Sequence, residues 1–241
     1  MPPEPRTYIV GCIKPTRRPQ GTAEMTPILP PEIRVHDLYL GFERGTIEEF
    51  REAMDGYGPL VAAHAEAKVD LIHPEGGPPF MIHGYDGEQR ILSQWNKTYN
   101  VPIFSSGTSQ VAALKALRVK KFVCATYYGG PVNQIVTDYF TQAGFEVMGI
   151  QGLNVEFQKV KDLPDQVVLD HVINVANSRP DADALYMLGS AWPRLSIVEE
   201  LEREIKKPVL HPMQARCWYF QKLLGLKTPI YGYGRLMAEI P

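Results

Sequence analysis

Short apolar runs of strand type alternate with helix-type segments along almost the whole of this sequence, and that alternation limits the fold more than any other property. Residues 8–13, 35–42, 69–72, 102–104, 121–127, 146–150, 184–188 and 208–211 read as strands. Between them lie helical patterns at 84–96, 110–117, 132–143, 165–176, 195–205 and 215–224. Thr46-Ile-Glu-Glu49 has capping-box spacing and predicts a helix through about residue 54, with a second from about Pro59 to residue 67. Residues 14–33 hold too many prolines for a helix and read as a long loop. Parallel strands need crossovers, and the crossovers here are helical, so the fold class is α/β with parallel sheets flanked by helices.

The pattern repeats. A strand, a helix, then Val101-Pro-Ile-Phe-Ser105 and another helix has a counterpart in a strand, a helix, then Lys207-Pro-Val-Leu-His211 and another helix. This predicts two similar lobes related by a pseudo-twofold, residues 1–105 and 106–212, with 213–241 packing back on the first. The expected active site is the cleft between the lobes.

A chain of 241 residues with 44% hydrophobic and 22% charged residues has enough apolar material for a substantial core. A net charge of −2 offers no basic field for nucleic acid and no polybasic anchor for a membrane, so a small-molecule ligand is expected. No stretch is apolar for the roughly 18–20 residues of a spanning helix, and Met-Pro-Pro-Glu-Pro lacks signal-peptide character, so a cytoplasmic location is expected. Cys12, Cys124 and Cys217 are odd in number and far apart, which fits neither a disulfide framework nor a CxxC site.

Ligands of open parallel sheets bind beyond the carboxyl ends of the strands. The residues there include Lys14, Thr16, Arg17 and Arg18, then His73, Glu75, Gly76 and Gly77, then Ser105, Ser106 and Thr108. They continue with Thr126 to Gly130, Gly189 and Ser190, and His211 with Gln214. Hydroxyls and backbone N–H groups dominate this set, which suits a carboxylate. His73 and Glu75 supply acid–base chemistry: imidazole titrates near neutrality, whereas Glu75 needs burial to act as an acid. Each also has a structural reading, as a turn cap or a solvated loop carboxylate. His211 stands at the equivalent strand end, Arg17 and Arg18 offer a carboxylate clamp, and Trp192 is placed to wall an apolar pocket. His83 lies near His73 and Glu75, but the spacing matches no zinc pattern, and no metal site is expected.

Ala125-Thr-x-Tyr128-x-x-x-Val-Asn133, Leu114-x-Ala-Leu-x-Val-Lys-Lys121 and Gly232-Tyr-Gly-Arg-Leu236 resemble the arylmalonate decarboxylase and maleate isomerase family of the aspartate/glutamate/hydantoin racemase superfamily. The resemblance covers the chain from about Val69 onward, while 14–33 fits poorly. It implies a cofactor-free, two-lobed enzyme in which cysteines after corresponding strands move protons at carbon and a ring of donors holds a carboxylate. It assigns Tyr128 to the active site, and Thr126 and Asn133 share its motif.

The same resemblance places His73 and Gly189 where the two cysteines would stand. Two-thiol racemisation and thiol addition to a maleate-like double bond are thereby excluded. Decarboxylation needs an oxyanion hole and a dry pocket instead, one donor being worth roughly 3–4 kcal/mol. The expectation is a cofactor-independent decarboxylase of a small carboxylic acid with a second activating group. His73, Glu75 and Tyr128 are its catalytic candidates, and Gly76, Gly77, Thr126, Asn133, Gly189, Ser190, His211 and Arg17 its binding candidates. The alternatives are a His/Glu isomerase or hydratase of an unsaturated dicarboxylate and a non-catalytic carboxylate-binding protein. The expected partner is the small carboxylate alone, with no nucleic acid and no membrane, and a homo-oligomer is left open.

Overall fold

A computed structural model of the chain describes residues 6–17, 23–190, 192 and 195–239. Strands β1 (Tyr8–Lys14), β2 (Ile33–Tyr39) and β3 (Leu71–Pro74) form a parallel sheet in the order β2-β1-β3. Ile103 extends it through a parallel bridge to Ile72. Strands β4 (Lys121–Thr126), β5 (Glu146–Gly152), β6 (Ala184–Leu188) and β7 (Val209–Leu210) form a second parallel sheet in the order β5-β4-β6-β7. The two orders superimpose, β1 on β4, β2 on β5, β3 on β6 and Ile103 on β7, as expected of a repeated unit.

The helices are α1 (Ile47–Glu66), α2 (Gly77–Met81), α3 (Gly84–Tyr99), α4 (Ser106–Ala116), α5 (Gly130–Gln142), α6 (Asp165–Asn177), α7 (Val198–Ile205), α8 (Pro212–Leu224) and α9 (Arg235–Glu239). Helix α1 is continuous through Pro59, where two helices were expected from the sequence. Thr46 caps it by accepting from the Glu49 N–H, but the Glu49 carboxylate turns back to accept from the N–H groups of Glu43, Arg44 and Gly45. That grip fixes the chain entering the helix without completing the reciprocal box. The short helices α2 and α9 carry no sequence periodicity long enough to have announced them.

The position of β3 bears directly on function. Strand β3 covers Leu71–Pro74, two residues later than expected, and His73 lies within the sheet opposite Cys12. Glu75 is therefore the first residue beyond the strand. Leu71, Ile72, His73 and Pro74 are all buried, so both faces of the strand are covered.

Helices α4 and α8, which follow Ile103 and β7 in the two units, pack against one another. Their N-termini, at Ser106 and Pro212, line a common cavity. Phe220 of α8 reaches His73 and Phe104 of the first sheet, while Arg235 at the start of α9 donates its backbone N–H to Glu202 of α7. Among the described residues no helix is long and apolar enough to cross a membrane.

Candidate functional site

The cavity between the sheets has about 90 Å³ open to the centre of a water molecule. At roughly 10–15 Å³ per water on that measure, it admits a small organic acid. Residues at the end of β1 and beyond it and β3 (Lys14, Thr16, Glu75, Gly76, Gly77) form one wall, and residues beyond β4 and β6 (Tyr127, Tyr128, Gly189, Ser190) form the opposite one. Phe42, Phe50, Phe157, Leu188 and Met213 supply apolar surface.

Its polar centre is a buried ion pair. Arg216, from the second turn of α8, holds the Glu75 carboxylate through Nη1, and both side chains are almost inaccessible. Burial pushes the Glu75 carboxyl upward, but Arg216, then His73 and Lys14, outweigh it and hold the group below its ordinary value. Lys14 is itself paired with Asp37 at 2.8 Å. Arg216 Nε and Glu75 Oε1 have no hydrogen-bond partner among the described residues. Gly76 has φ +108°, and a Cβ there would press on the Tyr57 hydroxyl and Pro15, so only glycine turns the chain at this point. The Gly76 N–H is already donated to Ser106 Oγ at 3.1 Å.

Across the cavity, Tyr128 stands beside Tyr127, their hydroxyls 3.3 Å apart. The backbone of Tyr128 is gripped on both sides: its N–H donates to Thr126 Oγ1 at 3.1 Å and its carbonyl accepts from Asn133 Nδ2 at 3.4 Å. Thr126 and Asn133 thus hold Tyr128 in place without lining the cavity themselves. Gly189 has φ +103°, and a Cβ would run into the Tyr127 ring. Trp192 is not a cavity wall: it is buried edge-on against Tyr127, with its indole N–H donated to the Leu188 carbonyl.

Glu75, Gly76, Gly77, Tyr128, Gly189 and Ser190, all anticipated from strand ends, meet around one space. His73 and His211 do not line it. The His73 ring stacks on Phe104 and meets Phe220 edge-on, with Nδ1 donating to the Phe104 carbonyl at 2.9 Å and Nε2 buried without a partner among the described residues. Burial, with Arg216 adding to it, pulls its pKa down to about 4, so the ring is neutral. His211 caps α8, its Nδ1 accepting from the Met213 N–H, and burial with nearby Arg216 lowers it to about 3. Arg17 lies over the Tyr39 ring, outside the lining, and Arg18 lies outside the described residues. All three cysteines are buried free thiols, none lines the cavity, and burial raises each of them, Cys217 to about 12. No cluster of metal-ligating side chains occurs among the described residues, His83 included.

Gln110 of α4 also lines the cavity and accepts from the Tyr186 hydroxyl at 2.8 Å; it and Arg216 could not be picked out from the sequence because both sit inside helices rather than at strand ends. The only available signal for Arg216 was a charge set in the run Ala215-Arg-Cys-Trp218, where a buried helix face tolerates none without a partner.

The sequence profile of the arylmalonate decarboxylase family matches residues 11–237. Maleate isomerase of Alcaligenes faecalis is 28% identical over 141 residues, 58% of this chain and 55% of that protein. Arylmalonate decarboxylase of Bordetella bronchiseptica is 25% identical over 141 residues, 58% of this chain and 59% of that protein. The chain thus matches little more than half the length of these curated relatives. In structure, a cysteine-to-serine mutant of Nocardia farcinica maleate cis-trans isomerase with a covalently bound succinylcysteine intermediate superimposes with a TM-score of 0.88 at 23% identity, covering 98% of this chain and 100% of that one. That similarity establishes a shared fold.

Proposed function

This chain belongs to the arylmalonate decarboxylase family, and from that premise we propose that it is a cofactor-independent decarboxylase of a small carboxylic acid carrying a second activating group. The observation that carries this reading is a carboxylate-sized cavity with a buried arginine in its wall and no thiol in its lining. The Nocardia enzyme carries its intermediate on a cysteine. Here every cysteine is buried away from the cavity as a protonated thiol, so covalent addition has no nucleophile of that kind.

Loss of CO₂ needs none. The bond to the departing carboxylate breaks, its electron pair enters an enediolate on the retained acid, and a proton then closes the C–H bond. Arg216 is placed to neutralise the retained carboxylate as it becomes the enediolate, with the N-termini of α4 and α8 adding favourable potential. The Tyr128 hydroxyl is a second donor held by the Thr126 and Asn133 grip. The apolar surface of Phe42, Phe50, Phe157 and Met213 suits the carboxylate that must lose its charge as CO₂.

A second reading draws on the ionised Glu75, which suits abstraction of a proton and its return to carbon once taken up, and supports isomerisation or hydration of an unsaturated dicarboxylate. Incubating the protein with phenylmalonate and with maleate in D₂O, followed by mass spectrometry and NMR, separates the two. Phenylacetate deuterated at the α-carbon is the expected product, falling on the order of 100-fold in rate for Tyr128→Phe. Conversion of maleate alone supports the second reading, and no turnover of either overturns the decarboxylase proposal in favour of a binding protein.

A further inference from the structure

The carboxylate of Glu75 occupies the place where the proposed substrate needs a cation. Arg216 lines the cavity with its Nε unengaged among the described residues, and Lys14, the other cation of the lining, is paired with Asp37. Nε of Arg216 and Oε1 of Glu75 are both buried without partners among the described residues, so the pair is half-engaged and leaves each member able to receive a third group. A ligand carboxylate has the same terminal group as Glu75, and Arg216, which lines the cavity, is of the type that holds such a group through parallel N–H···O bonds.

We infer that Glu75 is an internal stand-in for the ligand: the substrate carboxylate replaces it on Arg216, and the displaced Glu75 takes up the proton that it later delivers to carbon. This rests on the decarboxylase reading. The groups facing Glu75 are Arg216 and Cys217 from α8, Lys14 and Cys12 from β1, Tyr57 from α1 and His73 from β3. Arg216 contributes most to keeping it ionised, ahead of His73 and of Lys14, which is shared with Asp37. Once the charge of Arg216 is taken by the ligand, burial and the ligand's own negative charge both favour neutral Glu75.

The bookkeeping of the reaction agrees. A carboxylate that leaves as CO₂ consumes one proton when the new C–H bond forms. Glu75 takes up that proton at binding, gives it to carbon, and returns as a carboxylate to Arg216 when product leaves. The resting site therefore resets itself without a second acid.

Phenylacetate, a carboxylate that cannot lose CO₂ by this route, is the probe. Calorimetric titration of the native protein at neutral pH in PIPES and in Tris, which differ in ionisation enthalpy, reads proton uptake from the difference in heats. The expected result is uptake of about one proton per ligand bound, and none for Glu75→Gln, whose folding is checked by its melting curve and which still binds. Binding by the native protein without proton uptake overturns the inference and leaves the decarboxylase reading standing. Undiminished uptake by folded Glu75→Gln overturns it as well, and failure of the native protein to bind overturns both.

Discussion

Arg216 on α8 and Glu75 beyond β3 form an ion pair across the junction of the two sheets, and both side chains are sealed from solvent. The pair therefore serves two purposes at once, as the polar centre of the cavity and as a tie between the last long helix and the first sheet. Its energetics follow from the cost of leaving one charge alone.

Arg216→Met strands the Glu75 carboxylate in a buried site and is expected to lower unfolding free energy by about 3–5 kcal/mol. Glu75→Gln in the same background removes the stranded charge and is expected to recover part of that loss. A double-mutant cycle by urea denaturation measures the coupling, and additive losses from the two substitutions contradict the pairing.

Gly189→Ala forces a Cβ into the Tyr127 ring at a φ of +103°. The expected cost is about 1–3 kcal/mol in stability, with weakened phenylacetate binding because Tyr127 and Tyr128 move together. Ser190→Ala, next along the same wall, leaves the backbone unstrained and is expected to melt close to the native protein. Paired melting curves and binding titrations test this.

Glu88 links three helices, accepting from Ser105 Oγ at 2.5 Å and from the Tyr139 hydroxyl, and it meets no cation among the described residues. Burial, opposed by those hydrogen bonds, raises its pKa from 4.5 to about 7. The native state binds the extra proton between those values, so this group's contribution to stability falls as pH rises from about 4.5 to about 7, by about 3 kcal/mol. His73 and His211 act in the opposite sense: their native values are depressed from 6.5, so stability is lost as pH falls from 6.5 towards about 4 and about 3. Glu88→Gln is expected to remove the opposing contribution between about pH 4.5 and 7, so that stability rises more steeply with pH there, and to leave the profile below about 4.5 unchanged. Denaturation series across pH read both regions, and an unchanged slope between about 4.5 and 7 in Glu88→Gln refutes the assignment.

The buried thiols make a chemical prediction. Native protein is expected to react negligibly with Ellman's reagent, and denatured protein to release three equivalents, one for each of Cys12, Cys124 and Cys217. Phenylmalonate turnover should survive prior treatment with iodoacetamide. Rapid inactivation would place a thiol in the chemistry and oppose a thiol-free mechanism.

The α/β class, the repeated unit and the set of strand-end residues were legible because strand, crossover and loop each impose a local pattern. Glu75, Gly76, Gly77, Tyr128, Gly189 and Ser190 could be named for that reason, and Tyr128 also from its motif. Local pattern does not say where a strand ends, and two residues decided the role of His73: with β3 at Leu71–Pro74 it is packed between Phe104 and Phe220, and Glu75 takes the cavity. Nor does it say which helix faces meet. Arg216 lies 141 positions from Glu75 in the chain, and only the packing of α8 against α4 and the first sheet brings the guanidinium to the carboxylate. A buried charge is tolerated where a partner compensates it, and that partner exists only in the folded protein.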